Sequence, residues 1–241
     1  MNFVWNSEPH WNEPLWRYLK TARFISMVRD SNVYFASANQ LNDPFEGAVA
    51  VMPPDFPVDP RYKDPDRGEI AFRELKRLTK INCWHRAEYE SDAMWRLYAE
   101  QSKGVAICST ADRIRAAYSP FRLAPSYGIE DLWVGEVRYV DLLSVRLNVG
   151  TEERFFYKHR VFSSEREFRV AISVRSAEEF GVRVPELGIR VAVDVDALVA
   201  KIMLGPALSA TEQELIADAA KAAGLVDRVA KSSLFGTPRY A

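Results

Sequence analysis

Between Val33 and Gly47 the chain passes without interruption from a strand-forming segment into a tight, acidic turn. Val33-Tyr34-Phe35 is β-branched and aromatic, the composition of a half-buried strand. In Asn42-Asp43-Pro44 the amide and carboxylate side chains cap their own backbone and the proline fixes φ, so Leu41 to Gly47 must turn. Asn42, Asp43, Pro44, Phe45 and Glu46 therefore read as a structural turn, with Phe45 as its plug into the core. Any fold for this chain has to accommodate a strand, a sharp turn and two carboxylates in close succession.

The remaining chain mixes strands and helices without strict alternation. Leu15-Trp16-Arg17-Tyr18 reads as a strand, and Thr21 to Asp30 as a helix through Phe24, Ile25 and Val28. Gly68 to Lys80 predicts an amphipathic helix whose arginines, Arg73 to Arg77, form its wet face. Ile81 to Trp84 is a strand, and Ser91-Asp92 caps a helix with Met94, Trp95 and Tyr98 facing inward. Val105 to Cys108 is another strand. Ser109 to Asp112 and Thr211 to Glu214 both have the capping-box spacing. Leu132 to Val140, Glu165 to Ser173, Ile189 to Val195, Leu198 to Leu204 and Val226 to Ala230 complete the strand-like runs. The expectation is α+β: a single compact domain over residues 15–241, with a mixed, mainly antiparallel sheet and several flanking helices. Residues 1–14 form an irregular arm that docks through Trp5 and Trp11, and five prolines between Val51 and Arg67 mark a loop.

The 241 residues suffice for a sizeable core, and the formal net charge of −1 supplies no field toward nucleic acid or an anionic membrane. Two isolated cysteines, Cys83 and Cys108, fit a reduced, cytoplasmic protein. No apolar run reaches the length of a membrane span, and no signal-peptide pattern opens the chain.

Glu165-Arg166-Glu167 with Arg169 is the first candidate for chemistry. On a strand, Glu165, Glu167 and Arg169 share one face. Lining a cleft, they would hold a ribose hydroxyl, and a carboxylate raised by burial would act as a base. The plainer reading is an exposed face of weakly paired charges. Cys83-Trp84-His85 and His159 fall short of a metal-ligand set, so no metal is expected. There is no Gly-rich nucleotide loop.

Taken together, these landmarks resemble a bacterial family catalogued as domain of unknown function 2971. The resemblance covers residues 15–230 and rests on Leu15-Trp16-Arg17-Tyr18, Phe35-Ala36-Ser37, Leu41-Asn42-Asp43-Pro44-Phe45-Glu46, Met94-Trp95-x-x-Tyr98, Lys103-Gly104-Val105, Glu165-x-Glu167-x-Arg169 and Leu204-Gly205-Pro206. Cys83-Trp84-His85 departs from the Cys-Phe-Ser expected there. The resemblance implies an association with mobile elements and phage defence. The order of a basic strand, a strand ending in Ser and a late Glu-x-Glu strand is also similar to the ADP-ribosyltransferase layout, although Ser37 lies in Ala-Ser-Ala rather than Ser-Thr-Ser. That similarity implies NAD as cofactor, with Arg17, Ser37 and Arg169 binding it and Glu167, beside Glu165, catalytic: the carboxylate would stabilise the oxocarbenium-like sugar left when nicotinamide departs. The expectation is thus a cytoplasmic, defence-associated effector that uses or cleaves NAD, acting on a protein or nucleotide target. A non-enzymatic sensor or interaction module, and a nucleic-acid-processing enzyme, are the alternatives.

Overall fold

The computed structural model describes residues 1–4, 12–51 and 65–234. Its elements are β1 (Asn2–Phe3), β2 (Leu15–Leu19), α1 (Thr21–Asp30), β3 (Asn32–Ser37), α2 (Pro65–Leu78), β4 (Thr79–Arg86), α3 (Asp92–Tyr98), β5 (Val105–Ser109), α4 (Ala111–Ala117), β6 (Leu132–Glu136), β7 (Arg138–Val140), β8 (Tyr157–His159), β9 (Glu167–Ser173), α5 (Arg175–Glu179), β10 (Gly188–Ala192), α6 (Val195–Leu198), β11 (Lys201–Leu204), α7 (Ala210–Ala222) and β12 (Val229–Lys231). Ten of these strands form a mixed, mostly antiparallel sheet with helices beside it, so the α+β expectation holds. Residue contacts group the chain into two units of three stretches each. The first is Met1–Glu8, Tyr34–Cys83 and Pro120–Arg190; the second is Pro9–Val33, Trp84–Ser119 and Val191–Ala241.

In the first unit β1 lies parallel to β6, and β6 runs antiparallel to β9 with Gly135 opposite Arg169. β4 neighbours β9; β3 pairs with β4, Ser37 opposite Lys80, and β10 pairs with β3. Phe155 and Phe156, from a 3-10 turn at Glu153–Phe156, pack with Ala38, Ile81, Ala171 and Val4 into a core. Both faces of β9 are buried from Glu167 to Ile172. The expected exposed face of that strand does not exist, because aromatic side chains and the acidic turn cover it. β7 and β8 form a separate parallel pair, so the predicted strand over residues 132–140 is broken at Val137.

In the second unit β2 runs antiparallel to β5, β5 to β11, and β12 joins β11 in parallel. Trp16, Tyr18, Ala106 and Met203 meet Met94 and Trp95 of α3 on one face. The Tyr18 and Trp95 rings meet edge to face at 5.0 Å, a favoured quadrupole geometry. α1 packs on α7, and α4 on α6.

Several local expectations shift by a residue or two. β1 gives the N-terminal arm a strand; Trp5, Trp11 and residues 52–64 of the proline-rich loop lie outside the described residues. α2 starts at Pro65, where a missing N–H costs nothing, and yields Thr79 and Lys80 to β4. α3 stops at Tyr98, which is exposed rather than inward-facing. The cap of α4 is Thr110, since Ser109 donates instead to Leu198 O at 2.6 Å. The capping box of α7 is Ser209 with Glu212, two positions before the expected one. Arg77 is not on a wet face: its guanidinium is shielded and paired with Glu74 and Glu178.

Gly104 marks where the second unit tolerates no side chain. A Cβ there would fall 2.1 Å from Leu19 O, a backbone atom. Gly104→Ala is expected to destabilise the protein by about 3 kcal/mol or to prevent folding, since the strand must move. A melting temperature within two or three degrees of wild type, about 1 kcal/mol or less, would refute that reading of the contact.

Candidate functional site

The acidic turn and β9 meet in a buried ionic cluster within the first unit. Asp43 Oδ1 accepts from Phe45 N at 2.8 Å, and Gly47 takes a left-handed φ of 75°, so the backbone reverses there. The reversal directs Glu46, not Phe45, into the interior: Glu46 is 1% exposed, whereas Phe45 is half-buried and stacks on His159 at 4.9 Å. A side chain on Gly47 would strike the Phe155 ring, with its Cβ 2.5 Å from Cε1.

Arg169 is the hub. It is completely buried. Nη1 and Nη2 donate to the two oxygens of Glu46 at 2.6 and 3.0 Å, Nη1 also donates to Phe155 O at 2.6 Å, and Nε donates to Glu167 Oε2 at 2.5 Å. The planar fork of arginine suits this bidentate arrangement, which an ammonium could not copy. Glu167 Oε1 accepts from Lys158 Nζ at 2.7 Å, and Lys158 also donates to Glu165. Lys158 Nζ lies 4.7 Å from the centroid of Phe162.

Burial alone would raise the Glu167 carboxyl, but Arg169 and then Lys158 outweigh it and hold the group well below the usual carboxylate range. Glu165 moves the other way: burial and a hydrogen bond with Glu167 raise it. Burial lifts the Cys83 thiol, and the Glu167 charge adds to the shift, so Cys83 is no thiolate nucleophile at neutral pH.

The sequence candidates do not all gather here. Glu165, Glu167, Arg169 and Glu46 do. Glu165 is not on the strand: it ends a 3-10 segment (Arg160–Glu165), and Arg166 follows in a left-handed conformation before β9 begins. Ser37 sits elsewhere in the same unit. It pairs with Lys80, and the Val174 N to Leu78 O bond sets Lys80 beside the far end of β9. Six residue steps lead from that end, Ser173, back to Glu167, roughly 20 Å at the rise of a strand. Arg17 belongs to the second unit, on β2, with its guanidinium 6.0 Å from the Trp84 centroid. In the turn, Asp43 is buried and caps Phe45 N, while Asn42 and Pro44 are exposed.

Two lysines were not legible as site residues. Lys158 stands in the aromatic run Phe155-Phe156-Tyr157, a context that signals burial. Lys80 looked like a helix end. It is fully buried and donates to Ser37 Oγ at 2.6 Å and Pro185 O at 2.7 Å; among the described residues no carboxylate lies at bonding distance. Burial, with Arg77 adding to it, pushes its pKa down to about 8. Among the described residues no three His, Cys, Asp or Glu side chains converge as a metal site would require, and no helix is long and apolar enough to cross a membrane.

No family model, no curated protein and no solved structure matches the chain.

Removing Arg169 leaves the buried Glu46 carboxylate without its cation and Glu167 with Lys158 alone. Arg169→Leu is expected to cost about 3–5 kcal/mol in urea unfolding. Adding Glu46→Leu removes the orphaned charge, so the double variant should lose less than the single; a loss equal to the sum of both singles would contradict this. Lys80 has a separate signature. An unfolded lysine titrates near 10.4. Between about 8 and that value the unfolded chain holds a proton that the folded protein has released, so stability rises with pH there; the full penalty applies below. Relative to Lys80→Met, the wild type is expected to gain about 1–2 kcal/mol from pH 7 to 10, allowing for solvent screening. A pH-independent difference would show that Lys80 is not destabilised as a cation.

Proposed function

We propose that the first unit is a recognition module, the non-enzymatic sensor or interaction part of a defence-associated protein, with the ionic cluster as its frame. The observation that carries this reading is the state of Glu167. One oxygen accepts from Lys158 and the other from Arg169, and the residue is 9% exposed. A carboxylate held on both oxygens by cations and so far buried is placed to brace the protein rather than to take a ribose hydroxyl.

The surface carried by this frame supports the same reading. Asp141 accepts from Arg160 at 3.0 Å and lies 3.5 Å from His159, tying the turn at 141–146 to the segment at 160–166. Leu143 and Val161 are 62% and 66% exposed on those two segments, and Arg146, Arg160 and Arg166 are exposed beside them. Apolar side chains with a basic rim suit a protein segment that combines carboxylates with apolar residues: the rim steers, the apolar side chains hold.

A partner captured by the wild type and then purified is expected to bind at least about tenfold more weakly to Arg146→Glu/Arg160→Glu, with salt weakening the wild-type complex, and Glu167→Gln should lower the melting temperature. If the folded wild type consumes millimolar NAD and Glu167→Gln abolishes that without changing the melting temperature, the reading is overturned.

One observation favours a second reading. Two adjacent carboxyl groups whose affinities for protons move in opposite directions, Glu165 up and Glu167 down, are how an acid and a base share a site. An NAD-using, ADP-ribosyltransferase-like activity would then place Glu165, whose side chain is 13% exposed, against the substrate. In that case Glu165→Gln removes NAD cleavage while the melting temperature holds.

A further inference from the structure

The corner around Ser37 and Lys80 has a chemistry that neither reading uses. Ser37 ends β3 and starts a short 3-10 turn, Ala38–Gln40. Both Ser37 and Lys80 are fully buried. What covers them is a strap at 182–187, bracketed by Gly181 and Gly188. Gly181 has a φ of +81°, a conformation that side chains disfavour. At Gly188 a Cβ would fall 2.4 Å from Phe35 O, so only glycine lets the strap run this close to β3.

Three successive strap carbonyls point into the corner. Lys80 Nζ donates to Pro185 O at 2.7 Å, Ser37 Oγ to Glu186 O at 2.7 Å, and Ser37 N to Leu187 O at 2.8 Å. Tyr34 OH donates to Leu187 O at 3.0 Å. Pro185, Glu186 and Leu187 themselves are exposed; Val184 is the strap's buried anchor. The strap is thus an extended chain whose carbonyls occupy the donors of a hydroxyl–amine pair.

We propose that Ser37 and Lys80 form a nucleophile–base pair for acyl transfer, and that the strap occupies the place of an ester- or amide-bearing extended chain until it opens. The inference goes beyond the recognition surface and uses none of its residues. With the strap away, Ser37 Oγ–H turns from Glu186 O to Lys80 Nζ. Ser37 Oγ then bonds to the substrate carbonyl carbon, the π pair moves to oxygen, and the hydroxyl proton passes to the neutral amine of Lys80. Ser37 N–H, released from Leu187 O and exchanging its longer 3.2 Å bond to Gln40 Oε1, is a donor for the oxyanion. Collapse expels the leaving group, which takes the proton from the Lys80 ammonium. Water then attacks the acyl ester, giving one proton to Lys80 that returns to Ser37 and leaving a carboxylic acid. A lysine whose bonded partners among the described residues are a hydroxyl and a carbonyl is suited to this role, because neither fixes it as a cation. The charged groups that face it are Arg77 from α2, Glu178 from α5 and Glu186 from the strap.

A fluorophosphonate probe tests the pair directly: Ser37 Oγ displaces fluoride, and peptide mass spectrometry locates the adduct. Val184→Ala, which loosens the strap, is expected to label at Ser37 about tenfold faster than wild type. Adding Lys80→Met should slow that labelling by about tenfold or more, and Ser37→Ala should abolish it. Should Lys80→Met fail to fold, the pH profile serves instead: labelling rises from pH 6 to pH 9 as Lys80 becomes neutral. Absence of an adduct at Ser37 in both wild type and Val184→Ala, a rate indifferent to Lys80→Met, or a flat pH profile each overturns the proposal.

Discussion

The first unit depends on one buried guanidinium. Arg169 is out of contact with water, and a cation in that position persists only if anions and carbonyls replace its hydration. Glu46, Glu167 and Phe155 O do so, from a turn 123 positions away, from the arginine's own strand and from a 3-10 segment 14 positions before it. Each partner therefore has a fixed place. The turn must bring Glu46 inward, which requires the left-handed Gly47 and the Asp43 cap; Phe155 must present its carbonyl, which puts its ring against Gly47. Pairing of this kind offsets a desolvation cost and adds little net stability. Its contribution is to select one mutual arrangement of three segments.

The same unit treats two buried lysines in opposite ways. Lys158 is held between Glu165 and Glu167, and although burial works against its charge, Glu167 raises its pKa. Lys80, among the described residues, bonds to a hydroxyl and a carbonyl. One ammonium is locked by its neighbours, the other is left free to lose its proton near neutral pH. The distinction separates a frame from a place where proton transfer is cheap, and it divides the residues that sequence order had grouped together: Glu167 and Arg169 belong to the frame, Ser37 to the other corner.

Much of the fold was legible because it rests on local rules. The helix at Thr21–Asp30, the strands at Leu15–Leu19 and Val105–Ser109, and the turn after Leu41 follow from periodicity, β-branching and proline. Caps were less secure. Ser109 and Thr211 had suitable spacing, but Thr110 and Ser209 cap instead, because several hydroxyls compete at each terminus and Ser109 finds Leu198 O. The candidate site was half legible. A spacing of two correctly put Glu167 and Arg169 on one face, yet it says nothing of what covers that face. It also carried Glu165 onto a strand that begins only after the left-handed Arg166.

The sequence by itself determined the α+β class, the acidic turn and the pairing of a carboxylate with a guanidinium on one strand face, since each depends on residues only a few positions apart. Only the tertiary structure decided that Glu46 is the deepest residue of that turn, that 123 positions separate it from the arginine it binds, and that Lys80 rather than an arginine accompanies Ser37. The physical reason is that burial and charge pairing act between segments that the chain brings together from a distance. A charged side chain reads the same in sequence whether it ends in water, in a salt bridge or alone in the core.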